Sequence, residues 1–125
     1  MLPQRLHHAS FTVSNIKSAR RFYGDILGLE EIERPAMPIE GAWYQIGEAQ
    51  IHLIAAPTGV DVGSRPAQIN PLAGHTAFAI DDYVKTRDAL RAKGIEVLET
   101  NPDRGQMWVQ DPDGNVLEFI VPPPI

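Results

Sequence analysis

Four side chains in this sequence have the types that metal chemistry needs: His8, His52, His75 and Glu118. Imidazole nitrogens and carboxylate oxygens are the ordinary ligands of Zn²⁺, Ni²⁺, Co²⁺, Mn²⁺ and Fe²⁺. Three neutral imidazoles and one carboxylate would leave a singly positive site around a divalent ion. Such an ion can polarise a carbonyl, hydroxyl or phosphonate oxygen, or acidify a bound water. A single histidine on a strand is more often a surface or hydrogen-bonded residue. An internal repeat lifts these four above that expectation.

The repeat is weak in identity and consistent in register. His8-Ala9-Ser10-Phe11-Thr12-Val13 aligns with His75-Thr76-Ala77-Phe78-Ala79-Ile80 at a spacing of 67. Ile51-His52-Leu53-Ile54 aligns with Leu117-Glu118-Phe119-Ile120 at a spacing of 66, as does Leu27-Gly28-Leu29-Glu30 with Lys93-Gly94-Ile95-Glu96. One single-residue gap reconciles the three matches. His8 and His75 are therefore equivalent, and so are His52 and Glu118. Apolar neighbours of each alternate to the opposite face, so all four project from the side away from a helix-packed core. Glu118, between Leu117 and Phe119, needs a partner if it is buried. His7 falls on the face of Phe11 and Val13 and reads as structural.

The elements that must position these groups repeat too. Each unit reads as strand, helix, then three short strands. His8 to Val13 alternates as a strand. Ser14-Asn15 offers N-caps, Ile16, Ala19, Phe22, Tyr23 and Ile26 recur at helical spacing, and Gly28 is a stop. In the second unit Asp81 and Asp82 are cap candidates and Gly94 ends the helix. Strands are expected at residues 43–46 and 50–54 around Gly47-Glu48, and at 106–110 and 116–120 around Asp111-Pro112-Asp113-Gly114, a type I turn pattern. The predicted fold class is α+β: two tandem βαβββ modules, about 5–55 and 74–121, forming a curved mixed β-sheet cleft with helices outside. A Pro- and Gly-rich linker, about 56–73, joins them in one 125-residue domain. Residues 121–125, with three prolines, cannot form a central strand.

Composition narrows the function. There are no cysteines, which excludes disulfide frameworks, thiolate metal sites and cysteine nucleophiles. The net charge is −5 and the eleven Lys and Arg residues are scattered, which argues against a nucleic-acid partner. No apolar stretch is long enough to cross a bilayer, and the N-terminus does not read as a secretion signal, so the expected address is cytoplasmic.

Leu6 to Val13, Phe22-Tyr23 with Leu27-Gly28-Leu29, Gly74-His75, and Asp111 to Asn115 with Leu117-Glu118-Phe119 together resemble the vicinal oxygen chelate superfamily. Its members include glyoxalase I, methylmalonyl-CoA epimerase, fosfomycin-modifying enzymes, extradiol dioxygenases and bleomycin-resistance proteins. The resemblance covers nearly the whole chain. It implies paired βαβββ modules, one divalent metal per site and a homodimer. By position, His8 and His75 match the first-strand ligands of the two modules, and Glu118 the last-strand carboxylate. His52 departs from the pattern: glyoxalase I has a glutamate there and the epimerase a glutamine. Glu118 is then the only carboxylate base, and His52 is either a fourth ligand or an acid–base group.

The leading expectation is a glyoxalase-like lyase or isomerase. A Ni, Zn, Co or Mn ion would chelate neighbouring oxygens of a small substrate and stabilise an enediolate-like anion, and Glu118 would shuttle the proton with His52 as the alternative. Tyr44, Met107 and Trp108 are candidate substrate walls, Arg104 a candidate anion contact, and residues 33–42 a candidate lid. The alternatives are an Fe(II) extradiol-type dioxygenase, using His8, His75 and Glu118, and a metal-free binder like the bleomycin-resistance proteins.

Overall fold

The computed structural model describes residues 1–124. The chain divides into two compact units, Met1–Gly63 and Ser64–Ile125. The boundary falls inside the expected linker, where residues 56–73 carry neither helix nor strand.

In the first unit β1 (His8–Val13) leads into helix α1. This helix is α-helical over Ile16–Arg20 and continues as a π-helix over Arg21–Ile26. Strands β2 (Glu30–Ile32), β3 (Gly41–Ile46) and β4 (Ala49–Ala55) follow. The second unit runs β5 (His75–Ala79), α2 (Tyr83–Ala92), β6 (Leu98–Asn101), a 3₁₀ turn (Pro102–Arg104), β7 (Gln106–Gln110) and β8 (Val116–Ile120). Each unit closes one mixed sheet, in the order β1-β4-β3-β2 and β5-β8-β7-β6. The first and last strands of each unit pair in parallel and the other pairs are antiparallel. This is the α+β class with two tandem βαβββ modules.

Local chemistry explains the helices. Asn15 and Asp82 are the N-caps, their side-chain oxygens accepting from the amides of Ser18 at 2.9 Å and Lys85 at 3.0 Å. Gly28 and Gly94 leave the two helices at φ 76° and 79°, where a side chain would be strained. Period-two alternation then sorts the strands. Phe11, Val13, Ile51, Leu53, Ala42 and Tyr44 are buried on one face of the first sheet, and Phe11 and Tyr44 meet Tyr23 of the π-helical segment. In the second sheet Phe78, Leu117, Phe119, Met107 and Val109 are buried on the corresponding face.

Two departures from the sequence expectations concern this core. Tyr44 and Met107, expected to wall a substrate, stand on the helix-packed and core faces and have no solvent exposure. The segment 33–42, expected as a candidate lid, runs into the sheet at its end: Gly41 and Ala42 are buried residues of β3, and the Ala55 amide donates to the Glu40 carbonyl at 2.8 Å.

The Tyr44 hydroxyl is buried without a hydrogen-bond partner, and burial, reinforced by the Glu31 charge, pushes its pKa to about 12. An orphaned buried donor costs about 1–3 kcal/mol. Tyr44→Phe is therefore expected to be neutral or to stabilise by about 1 kcal/mol in chemical denaturation. A loss of more than that would mean the hydroxyl is bonded.

In the second unit Glu99 accepts from Tyr83 Oη at 3.0 Å, from Arg91 at 3.0 Å and from Arg87 at 3.3 Å. The Tyr83 hydrogen bond, then the two guanidinium bonds, hold its carboxyl below the ordinary value. Its contribution is present above the unfolded carboxyl pKa and is lost as pH falls through the lower folded value. Glu99→Gln is expected to flatten the stability curve below about pH 4.5 and leave it unchanged near neutrality apart from a constant offset. An unaltered acid limb in pH-dependent urea melts would contradict this.

Candidate functional site

Each unit by itself brings together two of the four sequence-predicted ligands. In the first unit β1 and β4 are parallel, with Ser10 opposite His52 and His8 opposite Gln50. The His8 and His52 rings stack at 4.0 Å and 14°. On its other side His52 stacks on Trp43 at 4.1 Å and 5°. The hairpin sets that contact, because Trp43 is the cross-strand partner of His52. His52 is 7% exposed. Burial, then the neighbouring His8, His7 and Arg34, hold its pKa below the ordinary imidazole value.

His7 is not on the core face. It precedes β1, so strand alternation does not apply to it. Its Nδ1 lies 2.8 Å from His8 Nδ1, one donating to the other, and its ring is edge-on to His8 and His52. If His8 Nδ1 is the donor, His8 Nε2 carries the free lone pair.

In the second unit His75 Nδ1 is 2.8 Å from the Ala73 carbonyl oxygen. A carbonyl only accepts, so Nδ1 carries a hydrogen. The other nitrogen, Nε2, faces Glu118 Oε1 at 3.3 Å. In a neutral ring that is a lone pair aimed at a carboxylate, and such a pair needs a cation between its members: a proton on Nε2 or a metal ion. A ring whose second N–H is held by a backbone carbonyl is also the usual arrangement of a metal-ligating histidine. Glu118 is 6% exposed, and its Oε2 accepts from Gln106 Nε2 at 3.0 Å. Trp108 pairs with Glu118 across β7 and β8. Its ring is edge-on to His75 at 4.8 Å, and its Nε1 donates to Thr100 Oγ1 at 2.9 Å.

The chemistry of the donors therefore fits a divalent ion, most directly at His75 and Glu118. The stacked His8 and His52 rings lie nearly parallel, so joint ligation would require one of them to turn. No group of three or more metal-binding side chains occurs among the described residues. Arg104 is exposed on the 3₁₀ turn and lines a groove with Tyr83, Gly105 and Gln106.

Four residues escaped the sequence reading: Trp43, Gln45, Gln50 and Gln106. The signal for the first three was present. A two-residue turn at Gly47-Glu48 pairs Gln45 with Gln50 and Trp43 with His52, and Trp43 is to His52 as Trp108 is to Glu118.

Comparison with known proteins gives the family of the chain. The model of the Glyoxalase/Bleomycin resistance protein/Dioxygenase superfamily matches residues 5–119. The chain belongs to this superfamily. Among superfamily relatives, lactoylglutathione lyase of Haemophilus influenzae is 31% identical over 124 residues, covering 90% of this chain and 89% of that protein. A protein of Arabidopsis thaliana named probable lactoylglutathione lyase, chloroplastic, is 27% identical over 94% of this chain, which spans only 35% of that longer protein. A glyoxalase/dioxygenase structure from Nostoc punctiforme shares the superfamily fold with a TM-score of 0.78 at 23% identity, over 97% of this chain and 92% of that one. No helix among the described residues is long and apolar enough to cross a membrane.

Proposed function

We propose that this chain is a divalent-metal-dependent lyase or isomerase of the glyoxalase I type, acting on a small substrate through two neighbouring oxygens. His8, His52, His75 and Glu118 would hold one Ni, Zn, Co or Mn ion. The observation that carries the reading is the His75 Nε2 to Glu118 Oε1 approach at 3.3 Å, with Nδ1 committed to the Ala73 carbonyl. The lactoylglutathione lyase names of the relatives support it at the level of reaction class.

When bound, the ion would polarise the substrate oxygens and stabilise the negative charge that develops on them. Glu118 is the proton carrier: its Oε2 is held by Gln106, and its Oε1 is the atom presented to the site. His75 holds that oxygen's surroundings fixed through its carbonyl-anchored ring. Trp108, 6% exposed and edge-on to His75, would be a flat wall against which a small substrate can lie. The same reading takes the protein as a homodimer.

The test is turnover of α-oxo-thiohemiacetals by protein loaded with each metal in turn. Conversion that disappears on chelation and returns with the ion is the expected result. Tight binding without turnover, unaffected by chelator, would instead make the chain a small-molecule binding protein.

A further inference from the structure

Behind His52 lies a hydrogen-bond chain whose direction is fixed at one end by the backbone. Gln45 Nε2 is 2.9 Å from the Gly47 carbonyl and 3.1 Å from the Ala49 carbonyl. Both are pure acceptors, so the NH₂ of Gln45 must point at them and its Oε1 must point away. That Oε1 lies 3.2 Å from the Gln50 amide, so Gln50 must present its NH₂ to it. The carbonyl oxygen of Gln50 is left facing His52 Nε2 at 2.8 Å. An amide oxygen cannot donate, so Nε2 of His52 carries the hydrogen.

Stacking on both sides holds the plane of the ring. Trp43 covers one face at 4.1 Å and His8 the other at 4.0 Å. The cross-strand pairs Trp43–His52 and Gln45–Gln50 place the stack and the amide chain on the same sheet face. Among the described residues Nδ1 makes no hydrogen bond, and it is not one of the buried polar atoms.

We propose that Gln50, itself oriented by Gln45, is a positioning residue that locks His52 in the Nε2–H tautomer and leaves Nδ1 as the only nitrogen with which His52 can hold a cation or accept a hydrogen bond from substrate. The sheet face thus decides which atom the site uses, through two carbonyls of a β-turn. The consequence for the site rests on the proposed function. The tautomer does not.

The test uses the full chain, labelled with ¹⁵N and free of metal, at a pH where the ring is neutral. Long-range ¹H–¹⁵N spectra separate a protonated from an unprotonated ring nitrogen. Wild type is expected to show His52 with hydrogen on Nε2 alone. Gln50→Leu, which removes the acceptor, is expected to give a mixture of tautomers, and Gln50→Glu, which keeps an acceptor, is expected to restore one. Hydrogen on Nδ1 in the wild type, or the same spectrum in Gln50→Leu, would overturn the proposal, and the wild-type spectrum decides even if a variant does not fold. In parallel, Zn²⁺ titration of wild type and Gln50→Leu is expected to show about a tenfold to hundredfold loss of affinity in the variant. Equal affinity would overturn the positioning role. Binding of none of Zn²⁺, Ni²⁺, Co²⁺ and Mn²⁺ by wild type would overturn the proposed function and leave the tautomer result standing.

Discussion

Alanine at His75 or at Glu118 is expected to weaken divalent-metal binding by about 100-fold or more. Four-ligand zinc sites bind with roughly 10–16 kcal/mol, so one ligand is worth about 3 kcal/mol, and each 1.4 kcal/mol is a factor of about ten. These two residues lead because they are already paired at 3.3 Å. Removing Glu118 also removes the negative charge that draws a cation to the pair. Glu118→Gln keeps the shape and the contact with Gln106 while deleting the negative charge, and it should lose nearly as much affinity as Glu118→Ala. Competition titrations with Ni²⁺ and Zn²⁺ measure this directly. Wild-type affinity in both variants would place the metal elsewhere or nowhere.

Gly41→Ala is expected to cost about 3 kcal/mol, the upper end for overpacking a filled site, and to lower Tm by roughly 10 °C. Gly41 is buried in β3 opposite Ile54. A Cβ there would run into the backbone carbonyl oxygen of Leu53 and lie 3.0 Å from the Arg34 guanidinium. A flexible side chain could give way. A carbonyl in the middle of β4 cannot move without shifting the β3–β4 pairing. The same pairing sets Trp43 on His52, so the variant should also weaken metal binding at temperatures where it remains folded. A Tm within a degree or two of wild type would show that the strands have slack at this point.

The register of the repeat made much of this molecule readable in advance. Asn15, Asp82, Gly28 and Gly94 act at the helix ends as their chemistry requires. The period-two pattern sends Phe11 and Val13 inward and leaves His52 and Glu118 on the other face. Where reading failed, the cause was a local boundary. His7 was assigned to a strand face, and β1 begins one residue later. Tyr44 and Met107 were taken as walls because aromatic and flexible side chains serve both cores and sites. The cross-strand partners Ile51 and Phe119 place them in the core. The π-helical stretch at Arg21–Ile26 was not legible, since apolar spacing alone does not distinguish it from a continuous α-helix. The two-residue turn made the pairing of Gln45 with Gln50 legible, but not the direction of the amide chain behind His52, which depends on which end of each amide faces the turn.

Whether the chain holds a metal at all decides the proposed function. Metal content per chain, measured on protein purified without chelator and again after adding back Ni, Zn, Co, Mn and Fe(II), tests this most directly. About one divalent ion per chain is expected in the wild type, falling in His8→Ala, His52→Ala, His75→Ala and Glu118→Ala. No bound ion in the wild type under any of these conditions would contradict it.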